Sequence, residues 1–378
     1  MYSLSRNISS EYDISFFTLV FLSKNLILKI VFYFSCYVSM AFPTKKSTLS
    51  RSHTRMTVLE WCERKYYLNY YDFDLKKRDK ELWQENIILK KIKSLDMRIG
   101  EKSHYLLSDY LHVFKNFYNE RKLNPALCEE QIQNLKNKMK AEMEEEFNYS
   151  KQLDFTDTEK FFERKIGLTE HYYGENIDDQ LPLAIEKVCG NVDRFIQSTW
   201  NKKIESYFED GEKVYIETPR ETDFESMRVD LDKIDGFSNI SVLAAPDFWV
   251  VHSDYDYLIL DWKSWKEDIL QDGISDQLKL YALKTLLKKN KTSLEGMKFE
   301  VYEVYLNSMH AYGGKLQQQD IDSIIQKIQQ DVEKQKNLLV DRDPEKNIPV
   351  DPDLFSPSLS DKKCETCTFR SVCKKFFK

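Results

Sequence analysis

The chain has 378 residues, enough for one large domain or two ordinary ones. Charged residues make up 31% and hydrophobic residues 42%, which excludes wholesale disorder. The formal charge is −6, which counts against a nucleic-acid partner because such binders are often basic.

The chain opens on an apolar block, residues 15–42. Lys24, Asn25 and Lys29 interrupt it, and its longest charge-free run, Ile30 to Thr44, is short for a span of about 20 residues. Three readings stay open: an extension upstream of a start at Met40, a membrane anchor, or a signal peptide with an unconvincing cleavage site at Met40-Ala41-Phe42-Pro43. Residues 1–43 are therefore set apart from 44–378, where every functional element falls, and that remainder reads as a cytoplasmic, reduced-compartment protein.

Ser47 to Tyr71 reads as a cap followed by one aromatic-rich helix. Residues 105–212 read as a mostly helical insertion, with apolar residues three and four apart in EQIQNLKNKMKAEMEEEF (130–147). No G-x-x-x-x-G-K-[ST] phosphate loop occurs, so no nucleotide and no motor are expected. The pattern changes near residue 212. KVYIETP (213–219) alternates as a strand, SVLAAPDFWVVH (241–252) reads as a single buried strand, and DYDYLILDWKSW (254–265) as the next, with the turn at Ser253-Asp254. A helix over 273–289, a strand over 297–308 and a long helix over 318–339 follow. A proline-punctuated linker (344–358) leads to a cysteine cluster in residues 359–378. Helices followed by β-β-α-β make an α/β core with a helical insertion.

Residues 205–261 hold 15 Asp/Glu against 4 Lys/Arg, so some of those carboxylates are candidates to hold divalent cations. Asp247, after Pro246, and Asp261 fall on adjacent strands of the expected hairpin, where two carboxylates can share Mg²⁺ or Mn²⁺. Lys263 lies two residues beyond Asp261 and so on the same strand face. Its ammonium can orient the attacking water and offset phosphate charge while the metal activates that water. Trp249, Trp262 and Trp265 read as packing rather than base stacking. Glu217, on the preceding strand, is a weaker candidate for a further acid.

Seven cysteines, three of them in the last 15 residues, do not make a secreted disulfide framework. Cys364-x-x-Cys367-x5-Cys373 is one thiolate short of a closed tetrahedral site. Cys62 is the candidate fourth ligand, and a metal there would close a loop of about 300 residues. Cys36, Cys128 and Cys189 read as buried small hydrophobes. Near this centre Lys45, Lys46, Arg51, Arg55, Arg64, Lys65, Arg370, Lys374 and Lys375 either face phosphates or form an ordinary solvated basic surface.

The pattern Pro246-Asp247…Asp261-x-Lys263 resembles the PD-(D/E)XK nuclease superfamily, and most its RecB/AddB-like exonuclease branch, which includes the CRISPR-associated adaptation nucleases. Gly100-x-x-x-His104 and Gln277-x-x-x-Tyr281 match two further motifs of that branch, the first at the start of a helix. The resemblance implies a restriction-endonuclease-like core, a mixed central sheet flanked by helices, with a cysteine-clamped terminus. It implies His104 as a metal-site member and Gln277 and Tyr281 as residues that orient Lys263 or the DNA. One early and three late cysteines resemble the members that bind a [4Fe–4S] cluster, with Zn²⁺ as the competitor. The implied activity is a Mg²⁺- or Mn²⁺-dependent deoxyribonuclease acting on single-stranded ends, beside a helicase or within a defence or repair system. The rival is a non-catalytic iron–sulfur or zinc protein that binds DNA as a scaffold.

Overall fold

A computed structural model describes residues 49–119, 125–217, 228–232, 234, 237, 240–264 and 273–377. The apolar block, Cys36, Lys45, Lys46 and Trp265 lie outside the described residues. Among the described residues, no helix is long and apolar enough to cross a membrane.

A short strand β1 (Ser50–Ser52) leads into helices α1 (His53–Trp61), α2 (Glu63–Tyr70), α3 (Phe73–Arg78) and α4 (Lys80–Leu89). Next come α5 (Leu95–Asn119), α6 (Pro125–Gln152), α7 (Thr158–Arg164), α8 (Thr169–Tyr172), α9 (Gln180–Gln197) and α10 (Thr199–Glu209). Strands β2 (Lys213–Ile216), β3 (Arg228–Asp230), β4 (Ser241–Leu243), β5 (Phe248–Ser253) and β6 (Asp256–Lys263) follow. The chain then forms α11 (Asp276–Lys288), β7 (Lys298–Tyr305), β8 (Ala311–Lys315), α12 (Gln318–Lys336), α13 (Asp361–Glu365) and α14 (Arg370–Phe376).

The main sheet has the order β2-β5-β6-β7-β8, and a small second sheet has the order β1-β4-β3. All neighbours in the main sheet run antiparallel except β6 and β7, which are parallel and joined through α11. This is the mixed α/β architecture expected from the sequence. β6 is hydrophobic because both its faces are covered. One face carries Tyr257 and Ile259, packed with Phe299 and Val301 of β7 and with α11 and α12. The other carries Leu258, Leu260 and Trp262, packed with α5, α6, α9 and α10. β8 comes close enough to β7 that a Cβ at Gly313 (φ 149°) would lie 1.9 Å from the Val301 carbonyl oxygen, so only glycine fits there.

Two expectations change. Residues 241–252 are not one strand: β4 ends at Leu243 and joins the small sheet, and β5 starts at Phe248 in the main sheet. Pro246 has no N–H to offer a ladder, and the break at this point frees Asp247 from strand pairing. The aromatic helix of 47–71 is likewise broken. Cys62 has an extended backbone (φ −171°, ψ 123°) between α1 and α2.

The two ends of the described chain are bound to each other. Arg64 Nε donates to the Phe355 carbonyl at 3.1 Å, and the Ser356 N–H donates to Glu63 Oε2 at 2.8 Å. Tyr67 stacks on Phe376 with ring centroids 5.8 Å apart. Arg51 is not a phosphate-facing residue. It is 1% exposed and donates through Nε and Nη2 to Asp331 on α12, 280 positions away. Removing one partner strands a buried charge, so Asp331→Ala is expected to lower the unfolding free energy by about 3 kcal/mol in urea titration. A change under about 1 kcal/mol would mean the pair is not the tie described.

Candidate active site

Sequence order and strand direction bring five acidic or basic positions to one end of the main sheet. β2 and β6 end there and β5 begins there, since Ile216 pairs with Phe248 and Phe248 with Leu260. Asp247 precedes β5 and reaches across: its Oδ2 accepts the backbone N–H of Trp262 at 2.6 Å. This bond places Asp247 beside the residue that separates Asp261 from Lys263. Glu217 follows β2, and its N–H donates to the Asp247 carbonyl at 2.9 Å. Glu303 is the register partner of Asp261 on parallel β7.

α5 supplies His104 from the other layer. Its Nδ1 lies 3.3 Å from Asp247 Oδ1. Gly100, one turn earlier, explains the approach, because a Cβ there would stand 2.9 Å from Ser264 Oγ. The Gly-x-x-x-His motif thus lies in the second and third turns of a helix that starts at Leu95, not at its start. α11 supplies Gln277 and Tyr281, whose i, i+4 spacing puts both on the face toward β6. Tyr281 Oη donates to Asp261 Oδ1 at 2.8 Å, and Gln277 Nε2 donates to the same oxygen at 3.2 Å. Lys263 Nζ donates to Gln277 Oε1 at 2.7 Å and lies 2.5 Å from Asp261 Oδ2.

All six predicted residues (His104, Asp247, Asp261, Lys263, Gln277 and Tyr281) therefore meet in one place. They line an open cleft of about 460 Å³. Ser52, His53 and Thr54, at the start of α1, form part of its wall. Two acids of the site were weakly read or missed in the sequence. Glu217 was a weak candidate, visible only as an acid at a strand end. Glu303 was missed, although an acid flanked by apolar residues within a buried strand was a usable signal; it is 5% exposed. Trp262 packs against Phe195 and Phe248, and Trp249 stacks on Tyr215, so both pack as expected.

Charge is crowded here. Burial and the neighbouring Asp247 raise the pKa of Asp261, opposed by Lys263. Burial and Asp247 likewise raise Glu217, which hydrogen-bonds to Asp247. Burial works against an ionised Asp247 too, but His104 and the Trp262 N–H outweigh it and hold Asp247 low. Among the described residues, no three His, Cys, Asp or Glu side chains stand as a ready-made metal cage. The reason at this site is visible: Lys263 and His104 lie against the carboxylate oxygens. The donor set nonetheless fits a hard divalent cation. Asp261 Oδ2 is buried and held by an ammonium rather than by a well-angled hydrogen bond, and the acids are crowded enough to resist ionising together.

Cys62, Cys364 and Cys367 lie within electrostatic range of Cys373, but among the described residues no three cysteines form a group that could hold a metal ion. Burial raises the Cys373 thiol to about 11, and the charges of Cys62, Cys367 and Cys364 add to that rise. Cys367 is raised by burial and feels Cys62 and Cys364. The four thiols are therefore electrostatic neighbours, with Lys363 lying 5.8 Å from the Trp61 ring beside them. Cys128 and Cys189 are only half-buried, Cys189 against the core beneath α9. The basic residues near these cysteines are largely engaged within the protein. Arg55 lies over Tyr70, Lys65 over Trp61, and Arg370 over Tyr173, while Lys375 pairs with Glu85.

A family model described as the PD-(D/E)XK nuclease superfamily matches residues 50–374. No curated protein and no solved structure matches the chain.

The His104–Asp247 contact makes a pH prediction for the metal-free protein. Burial alone would lower His104 from its ordinary 6.5, but the Asp247 charge and hydrogen bond overcome this and raise it to about 9. The folded protein keeps a proton that the unfolded chain releases above about 6.5, so the stabilisation is complete below that pH and is lost as pH rises through about 9. His104→Asn is expected to lose about 2 kcal/mol near pH 6 and little near pH 10 in urea titrations. Equal losses at both pH values would contradict the pairing.

Proposed function

The chain belongs to the PD-(D/E)XK nuclease superfamily, and on that premise we propose that it is a metal-dependent deoxyribonuclease that hydrolyses phosphodiester bonds. The observation that carries this reading is the single buried constellation of Asp247, Asp261, Lys263, Gln277 and Tyr281 opening onto the cleft. A scaffold that merely binds DNA has no need of two carboxylates and a lysine forced together at a cost in burial.

In this reading Asp247 and Asp261 hold Mg²⁺ or Mn²⁺, with His104 flanking Asp247. When bound, the cation polarises the scissile phosphate and lowers the pKa of its water. Lys263 orients the attacking water and offsets charge on the phosphate. Gln277 joins Lys263 to Asp261 by accepting from one and donating to the other, so neither rotates independently. Tyr281 stays a neutral donor because burial and the nearby carboxylates raise its pKa well above 10, and it fixes the Asp261 Oδ1 rotamer. Burial and Asp247 push the Glu217 carboxyl upward, which favours its neutral form beside Asp247 in the metal-free site.

Exonuclease action on single-stranded ends is the finer form of the reading, supported by the resemblance to the RecB/AddB-like branch. The same resemblance supports a helicase partner in a repair, recombination or defence setting. With Mn²⁺, the protein is expected to shorten end-labelled single-stranded DNA and to leave a circular strand intact. Lys263→Ala and Asp261→Asn are expected to lower the rate at least about 100-fold. Parent protein that is no faster than Lys263→Ala would remove the enzyme reading, and cleavage of the circle would remove the exonuclease form alone.

For the cysteines we propose a [4Fe–4S] cluster held by Cys62, Cys364, Cys367 and Cys373, with Zn²⁺ as the competitor. The support is the resemblance to members with one early and three late cysteines, together with the extended backbone that breaks the helix at Cys62 and the electrostatic reach of the other thiols to Cys373. Burial raises the Cys367 and Cys373 thiols, and metal ligation would deprotonate them outright. Anaerobically purified protein is expected to be brown and to carry about four iron atoms per chain, and Cys373→Ser to lose them. A colourless preparation containing zinc and no iron would replace the cluster with a zinc site.

A further inference from the structure

Lys263 stands between two carboxylates, and the sequence motif accounts for only one. Its Nζ is 2.5 Å from Asp261 Oδ2 and 3.7 Å from Glu303 Oε1. Register explains the arrangement. Asp261 and Glu303 face each other across parallel strands, and Lys263 is two residues beyond Asp261 on the same face. The side chains of Lys263 and Glu303 are each 6% exposed, so the ammonium cannot simply turn out into water. Glu303 is itself fixed. Ser275 Oγ donates to Glu303 Oε1 at 2.7 Å and also caps α11, the helix that carries Gln277 and Tyr281.

We propose that Glu303 is the reserve counter-ion of Lys263, the group toward which the ammonium shifts when a divalent cation takes Asp261. The inference rests on the metal-dependent reading above. Two like charges cannot share Asp261 Oδ2 at close range in a buried site. Gln277 can guide the ammonium but carries no charge to balance it. With a cation at Asp261, Glu303 offers the buried ammonium an anionic partner already 3.7 Å away. The ammonium then shifts across from β6 toward β7 and stays within the cleft. Glu303 is thus a positioning residue that acts through Lys263.

The test is Mn²⁺ binding by titration calorimetry on the full chain without DNA, for the parent, Glu303→Gln, Lys263→Met and the double variant. Glu303→Gln is expected to weaken Mn²⁺ binding about tenfold at unchanged stoichiometry. In the Lys263→Met background the same change is expected to have little effect, because no ammonium is left to rehouse. Glu303→Asp, which keeps the charge on a shorter arm, is expected to restore most of the affinity. Equal weakening in both backgrounds, or loss of a bound ion, would make Glu303 a direct ligand and overturn the proposal. Unchanged affinity in Glu303→Gln would overturn it as well. A parent protein that binds no Mn²⁺ would instead sink the metal-dependent reading on which it rests.

Discussion

The cleft depends on one hydrogen bond, from the backbone N–H of Trp262 to Asp247 Oδ2 at 2.6 Å. The N–H sits between Asp261 and Lys263 on β6, so a carboxylate that binds it must lie beside both. The bond is possible because the chain leaves β4, passes Pro246 and enters β5 only at Phe248. Had residues 241–252 formed one continuous strand, Asp247 would have pointed to a sheet face with its N–H in the ladder. The break at proline turns a strand residue into a ligand candidate.

Around that bond the structure is built in two layers. Helices α5, α6, α9 and α10 cover one face of the main sheet, and α11, α12 and the end helices cover the other. The site lies at the sheet end where the layers meet, so His104 arrives from one and Gln277 with Tyr281 from the other. Open α/β sheets commonly place ligands at such strand ends, because loops there are free of ladder pairing. The burial that sharpens these electrostatics also makes them costly. Four acids, a lysine and a histidine are packed together and joined by hydrogen bonds and ion pairs. Such a network resists substitution at any member.

The chain ends add a second constraint. Arg51 with Asp331, Arg64 with Phe355, and Tyr67 with Phe376 tie the first helices to the last. The cysteine neighbours sit inside this junction. A metal there would reinforce contacts that already hold, whereas a junction made by metal alone would leave few direct bonds. α1 reaches from this junction to the cleft wall through Ser52, His53 and Thr54, so the cysteines and the cleft share one rigid element.

Much of this was legible in the amino-acid order. Period-two and period-four patterns marked β2, β6, β7, α11 and α12, because burial of one face or both is written directly in the alternation of side chains. Asp261 and Lys263 were legible because strand geometry turns a two-residue spacing into a shared face, Asp247 as an acid on the neighbouring strand, and His104, Gln277 and Tyr281 through the resemblance to the family motifs. Glu303 and Arg51 were not. Glu303 is 42 positions from Asp261, and its role follows from the register of two parallel strands, which no local pattern specifies. Arg51 looked like a surface cation until its partner appeared 280 residues away. The sequence by itself determined which residues share a face of one strand or helix. Only the tertiary structure decided which strands and layers face one another, since those contacts depend on packing between distant segments and not on the spacing within any of them.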